Sequence, residues 1–167
     1  MSSHFRDYVQ SLHRERSTGK ATEHTYRPAL KTLLESLESG IVATNEPKRI
    51  KCGAPDYFIE RRGVPVGYVE CKDIGVSLDD EESSEQIVRY LGSMDNLILT
   101  DYLEFRHYIK GKLANCIRIA KKTTSGGVLY ANPNKNDLES FFGVFLATQS
   151  ATITSTNELV RYMANIA

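Results

Sequence analysis

The sequence has no tryptophan, no surplus of charge of either sign, and no apolar run long enough to cross a bilayer. Each absence narrows the field. Without tryptophan, stacking platforms for sugars are sparse. The N-terminus, MSSHFRDYVQ, lacks the apolar stretch of a secretory signal. Its three cysteines, Cys52, Cys71 and Cys116, are odd in number and never spaced CxxC, which reads as reduced thiols in a cytoplasmic protein without a zinc site. No phosphate-cradling G-x-x-x-x-G-K-[ST] run occurs, so no nucleotide cofactor is expected. Nor is there a motif for S-adenosylmethionine, a helix suited to reading a major groove, or a Ser-His-Asp arrangement with a covalent nucleophile.

What is present fits one globular domain of 167 residues. The zero net charge conceals an uneven spread. Residues 1–72 carry 12 basic and 9 acidic side chains, residues 73–104 carry 1 and 9, and residues 105–167 carry 8 and 3. An acidic block between two mildly basic segments is unlike a dedicated duplex-binding module. It is compatible with an acidic metal centre flanked by phosphate-contacting surfaces. The densest part of that block, DDEE at 79–82, reads as a solvated loop.

Periodicity predicts a helix over residues 3–16 and a second from Thr22 or Thr25 to Gly40. Leu30, Leu33, Leu34 and Leu37 of that second helix share an apolar face, and Pro28 fits only its first turn. A short strand follows at 41–44, then a hairpin, DYFIER and VPVGYVECK, around Gly63. Ser83 or Ser84 can cap a helix over EQIVRYLGSM. NLILT at 96–100 is a buried strand, and EFRHYIKG with LANCIRIA forms a second hairpin around Gly111. Helices over DLESFFGVFLAT and TNELVRYMANIA complete the chain. The order predicts an α/β fold, a mixed central sheet of four or five strands flanked by helices on both faces.

The hairpin holds the chemistry. Strand side chains alternate, so Glu70 and Lys72 share one face while Val69 and Cys71 point into the core. With the turn centred on Gly63, paired residue numbers add to 126 and Asp56 lies opposite Glu70, with Cβ atoms roughly 5 Å apart. Two carboxylates at that distance repel. A divalent cation between them removes the penalty, and hard oxygen donors suit Mg²⁺, with Mn²⁺ as a substitute. The backbone carbonyl of Cys71 can add an oxygen. Lys72 beside such a cation can orient the attacking water, assist its deprotonation or offset charge on a phosphorane-like transition state. Metal-assisted attack of water on a phosphodiester is the cheapest chemistry for this set. A glycosidase would also use two carboxylates, but Lys72 opposes the raised pKa that its acid needs.

Pro55-Asp56 and Glu70-Cys71-Lys72 resemble the motif of the PD-(D/E)XK nuclease superfamily. NEPKR at 45–49, GAPD at 53–56, GYVECKDIG at 67–75, QIVRY at 86–90 and LILTDYLEFRHY at 97–108 together look like the N-terminal nuclease domain of type IIG and type ISP single-chain restriction–modification enzymes. The resemblance implies a restriction-endonuclease-like core at about 20–125 within a single domain over 1–167. It also implies helices at 137–167 that start a connector to a methyltransferase, specificity or helicase portion. Double-stranded DNA is the implied substrate, with no membrane involved.

It further assigns Gln86, after the Glu-x-Lys strand, to the catalytic site and the scissile phosphate. Tyr90, one turn on, shares its helix face and is a candidate for nucleic-acid contact. Glu23 resembles an acidic residue that some members bring to the metal from the first helix. Tyr57, Phe58 and Tyr68 read as packing, and His24 and His107 as structural. Cys71 departs from the small apolar residue usual there. Two alternatives stay open: a stand-alone nuclease of repair or recombination, and a catalytically idle nuclease-fold module that binds DNA or acts as a scaffold.

Overall fold

A computed structural model describes residues 2–50 and 52–148, without the side chains of Ser2 and Glu23. The helix predicted over TNELVRYMANIA, and with it most of the connector expected at 137–167, lies outside the described residues.

Helix α1 (Ser2–Ser17) turns Phe5, Tyr8, Val9 and Leu12 inward, a helical spacing that buries one stripe. A 3₁₀ turn (Glu23–Tyr26) is capped by Thr22, whose own amide donates to Thr25 Oγ1 at 2.9 Å. It feeds α2 (Arg27–Ser36), with Pro28 in the first turn, where its missing N–H costs nothing. The helix stops at Ser36 rather than continuing to Gly40, and Leu37 still packs against the core.

Six strands make one sheet in the order β1 (Ile41–Asn45), β2 (Tyr57–Arg61), β3 (Val64–Cys71), β4 (Asn96–Thr100), β5 (Glu104–Ile109) and β6 (Lys112–Arg118). The sheet has six strands where four or five were expected. Strands β3 and β4 run parallel and the other neighbours antiparallel. The parallel pair is joined across one face by α3 (Leu78–Glu82) and α4 (Glu85–Leu91). The sheet is therefore mixed and helix-flanked, the α/β arrangement that the element order predicts.

The β2–β3 pairing is not a plain hairpin. Arg62 and Gly63 both have positive φ, 50° and 79°, the signature of the tight type I′ turn whose twist suits a hairpin. Next to this turn Arg61 pairs with Val64 and Glu60 with Pro65, so the turn is one residue tighter than one centred on Gly63. A bulge at Val66 then restores the missing residue, and Ile59, Phe58 and Tyr57 pair with Gly67, Tyr68 and Val69. Continued by one step, this register sets Asp56 opposite Glu70.

The two faces of the sheet differ. Against α1, α2 and α5 (Lys135–Ala147) lies the larger core, including Val69, Cys71, Ile98, Phe105, Phe141 and Phe145. Against α3 and α4 lies a smaller one, with Tyr68, Ile87, Tyr90, Leu97 and Leu99. DDEE is not a solvated loop. It is most of α3, capped by Ser77 and with Asp79, Asp80 and Glu81 in the first turn, where negative charge complements the helix dipole. Ser84 caps α4 by accepting from the Ile87 amide. The sequence reading also missed a two-stranded ribbon, β7 (Ala120–Lys122) and β8 (Val128–Tyr130), which packs against α1.

Candidate active site

The start of β2 and the ends of β3 and β4 meet at one edge of the sheet, and the polar residues of the hairpin gather there. Asp56 and Glu70 are tied by the backbone. The Asp56 amide donates to Glu70 Oε2 at 3.3 Å, and the Cys71 amide donates to Asp56 Oδ2 at 2.8 Å. The Cys71 side chain is buried on the opposite, apolar face, as strand alternation requires. Lys72 lies on the Glu70 face. Its ammonium is 3.5 Å from Glu70 Oε1 and 3.3 Å from Glu81 Oε2, and it donates to Gln86 Oε1 at 2.9 Å.

Gln86 binds both members of the pair. While its carbonyl accepts from Lys72, its amide donates to Glu70 Oε1 at 2.9 Å and approaches the Tyr90 hydroxyl at 3.3 Å. One side chain thus fixes the spacing between carboxylate and ammonium. Tyr90 is a different case. It is 1% exposed, so its ring is packed in the smaller core and supports Gln86 instead of offering a surface to nucleic acid. Tyr57 and Tyr68 are likewise buried. The Tyr57 hydroxyl donates to the Arg27 carbonyl at 2.7 Å, and Phe58 packs on Tyr68.

Two residues join the site that the sequence did not single out. Arg27, at the start of α2, is buried and forms ion pairs with Asp56 and, at 2.8 Å, with Glu46. Glu81, on α3, adds a second carboxylate beside Lys72. Arg27 is distant in sequence from Asp56, so no local pattern announces the pairing. Glu81 was hidden within the acidic block. Glu23 begins the 3₁₀ turn that leads to Arg27, and its side chain is outside the described part of the chain.

The electrostatics follow from burial. Glu70 is 4% exposed, and burial, reinforced by the neighbouring Asp56, pushes its pKa up to about 7 against the pull of Lys72. Lys72 shifts upward. Burial alone would lower it, but Glu70 and Glu81 outweigh that and hold the proton on the ammonium. Among the described residues no group of three or more His, Cys, Asp or Glu side chains forms a metal-binding cluster. The donors available to a cation are therefore the Asp56–Glu70 pair and nearby backbone oxygen. That donor set suits a hard divalent ion, because both donors are carboxylate oxygens and the buried Glu70, raised first by burial and then by Asp56, would be stabilised in its charged form by a cation.

His107, read as structural, is fully buried on the other face, 2.6 Å from Asn96 Oδ1, and burial lowers its pKa to about 4. No helix among the described residues is long and apolar enough to cross a membrane.

No protein-family model matches the chain, and no curated protein does. Among solved structures, it is similar to a chain in the cryo-EM structure of a DrdV–DNA complex. The TM-score is 0.65 at 21% identity, over 89% of this chain and 14% of that one. The likeness is one of fold, and this chain spans a small part of the length of the protein it matches.

Proposed function

We propose that the chain is a Mg²⁺-dependent endodeoxyribonuclease domain of the PD-(D/E)XK type, the nuclease part of a restriction–modification enzyme that hydrolyses phosphodiester bonds in double-stranded DNA. The observation that carries this reading is the meeting of Asp56, Glu70 and Lys72 at one sheet edge, with Gln86 bonded to both Glu70 and Lys72. The fold likeness to part of a DNA-bound protein supports DNA as the partner.

Asp56, Glu70 and the Cys71 carbonyl would hold Mg²⁺, or Mn²⁺ in its place, and Glu23 is a candidate fourth donor. The bound ion would supply positive charge at the phosphate and lower the cost of forming hydroxide. Lys72, kept protonated by Glu70 and Glu81, orients the attacking water and offsets charge building on phosphorus. Gln86 aims the ammonium and lies close to the scissile phosphate. Arg27 holds the Asp56 carboxylate in place through an ion pair. A methyltransferase or specificity portion, with or without a helicase, belongs to the same parent polypeptide in the cytoplasm.

One observation favours a second reading, an idle nuclease-fold module: both oxygens of Asp56 and the Lys72 ammonium already have protein partners. Nicking of supercoiled plasmid with Mg²⁺ separates the two. Wild type should nick. Asp56→Ala should not, and Lys72→Ala should bind DNA yet lose nearly all cleavage. Lys72→Arg should not rescue, because a planar fork cannot replace a compact ammonium. Wild-type rates in Lys72→Ala would sink the mechanism, and Mn²⁺ titration heats unchanged in an Asp56→Ala, Glu70→Ala double variant would place the ion elsewhere.

A further inference from the structure

The cations near the sheet edge are mostly spoken for. Arg27 holds Asp56 and Glu46, Arg106 holds Asp79, Glu82 and Glu104, and Arg118 holds Glu104. Lys122 is different. It is exposed on β7, and among the described residues no carboxylate lies within ion-pair distance of it. Its side chain lies across Gly75, so closely that a side chain at that position would collide with the ammonium. Gly75 also has φ of +94°, a backbone conformation that suits glycine. The ribbon therefore delivers an unpaired ammonium onto the loop that leaves Lys72.

A polar cavity of about 270 Å³ opens there, lined by Gly75, Ser77, Asp101, Glu104, Arg118 and Lys122 among others. Each of its three carboxylates has a protein partner. Asp79 pairs with Arg106 at 2.7 Å, Glu104 is shared by Arg106 and Arg118, and Asp101 accepts the amides of Leu103, Glu104 and Gly75. A group entering the cavity would meet the exposed Lys122, the half-exposed Arg118 side chain and Asp79, which Arg106 already holds. Gly75 lies three residues past Lys72, at most ~10 Å of extended chain. That reach covers roughly three nucleotides at ~3.4 Å of axial rise each.

We infer that Lys122, seated over Gly75, is a phosphate-binding residue that grips the DNA backbone within a few nucleotides of the scissile bond. The inference rests on the nuclease reading for its ligand and extends it by a subsite that the β7–β8 ribbon contributes. The ribbon carries an internal control. Lys122 pairs with Val128 and Lys121 with Leu129, so the two lysines point to opposite faces.

The test is binding of a fluorescein-labelled DNA duplex by the whole chain, followed by anisotropy across a salt series with EDTA present to prevent cleavage. Removing one phosphate-binding cation should flatten the log–log salt dependence by about 0.9. Lys122→Ala should show that change, while Lys122→Arg and Lys121→Ala keep the wild-type slope. A slope unchanged in Lys122→Ala, or flattened as much in Lys121→Ala, would overturn the assignment and leave the nuclease reading standing. Wild-type protein that shows no salt-dependent binding would remove both.

Discussion

The two faces of the sheet are made from the same strands and solve opposite problems. Along β3, Val69 and Cys71 join the larger core, while Tyr68, Glu70 and Lys72 face α4. The first face is largely apolar, and there α5 lays Phe141, Phe142 and Phe145 against it. The second begins apolar and ends in charge: Glu70, Lys72, Gln86 and Glu81 at the site, and Glu82 with Arg106 beside it. Burying apolar surface stabilises, and burying charge costs unless each charge is paired. One face therefore contributes the stability that the other uses to hold an unfavourable arrangement in place.

That division predicts opposite outcomes for truncation, and the largest effect is on the site face. Glu70→Ala should lower plasmid nicking at least ~1000-fold, the scale of losing a preorganised charged group, with little change in thermal unfolding. Phe141→Ala should do the reverse. It opens a cavity in a fully buried position and should cost about 3–5 kcal/mol in urea unfolding, a large share of a typical ~5–15 kcal/mol. Unfolding of the chain by Glu70→Ala would erase the distinction between the faces.

How much of this division is legible in the sequence depends on how far apart the partners lie along the chain. Alternation alone assigns Val69, Glu70, Cys71 and Lys72 to their faces. The Asp56–Glu70 pairing follows from a turn one residue wider than the real one, and the bulge at Val66 makes the register come out the same. A bulge has no clear mark in VPVGYV, so the sequence could not show why the register holds. Ser77 before LDDEE is a readable cap, and the charge density of the segment conceals it. Arg27 could not be read at all, because its role depends on where the end of the β1–β2 connection places Asp56. Tyr90 follows the right helix face, but the depth at which α4 packs makes it a support for Gln86. The β7–β8 ribbon has strands of three residues each, below the length at which alternation is informative.

The apolar face contains one polar weak point, and it gives the second prediction. His107 packs edge-on against Phe141 and Phe145, with Asn96 bound to Nε2. Asn96 in turn donates to the carbonyls of Val66, Phe145 and Thr148, tying the end of α5 to the sheet. Burial lowers the His107 pKa to about 4, whereas in the unfolded chain it returns to ~6.5. The unfolded state then binds the proton more readily. The stability that His107 contributes is complete above about pH 6.5 and is lost as pH falls toward 4, by roughly 3 kcal/mol at most. His107→Gln should be less stable at pH 7.5 but lose less between pH 7 and pH 5. An equal loss in both proteins would show that other groups set the acid limit.

The smallest expected effect sharpens the comparison most, because it asks whether the site face is held against a cost. Glu70 has its pKa raised to about 7, the opposite direction from His107. In the unfolded chain this carboxyl ionises near ~4.5, so between that pH and about 7 the folded state binds more protons than the unfolded one. Stability attributable to Glu70 therefore falls as pH rises through that window, and the full cost is present above it. Glu70→Gln removes the charge and keeps the shape. Part of the gain is offset, since Lys72 loses one of its two carboxylate neighbours and keeps Glu81 and Gln86. The net expectation is a variant more stable than wild type by about 1–2 kcal/mol at pH 8 and nearly equal to it at pH 5. Urea unfolding in EDTA buffer measures both, since a divalent ion would stabilise wild type selectively. Should Glu70→Gln be no more stable at pH 8 than at pH 5 relative to wild type, the charge of Glu70 carries no cost from its burial and from Asp56 beside it, and the electrostatic argument for a cation between the two carboxylates loses its basis.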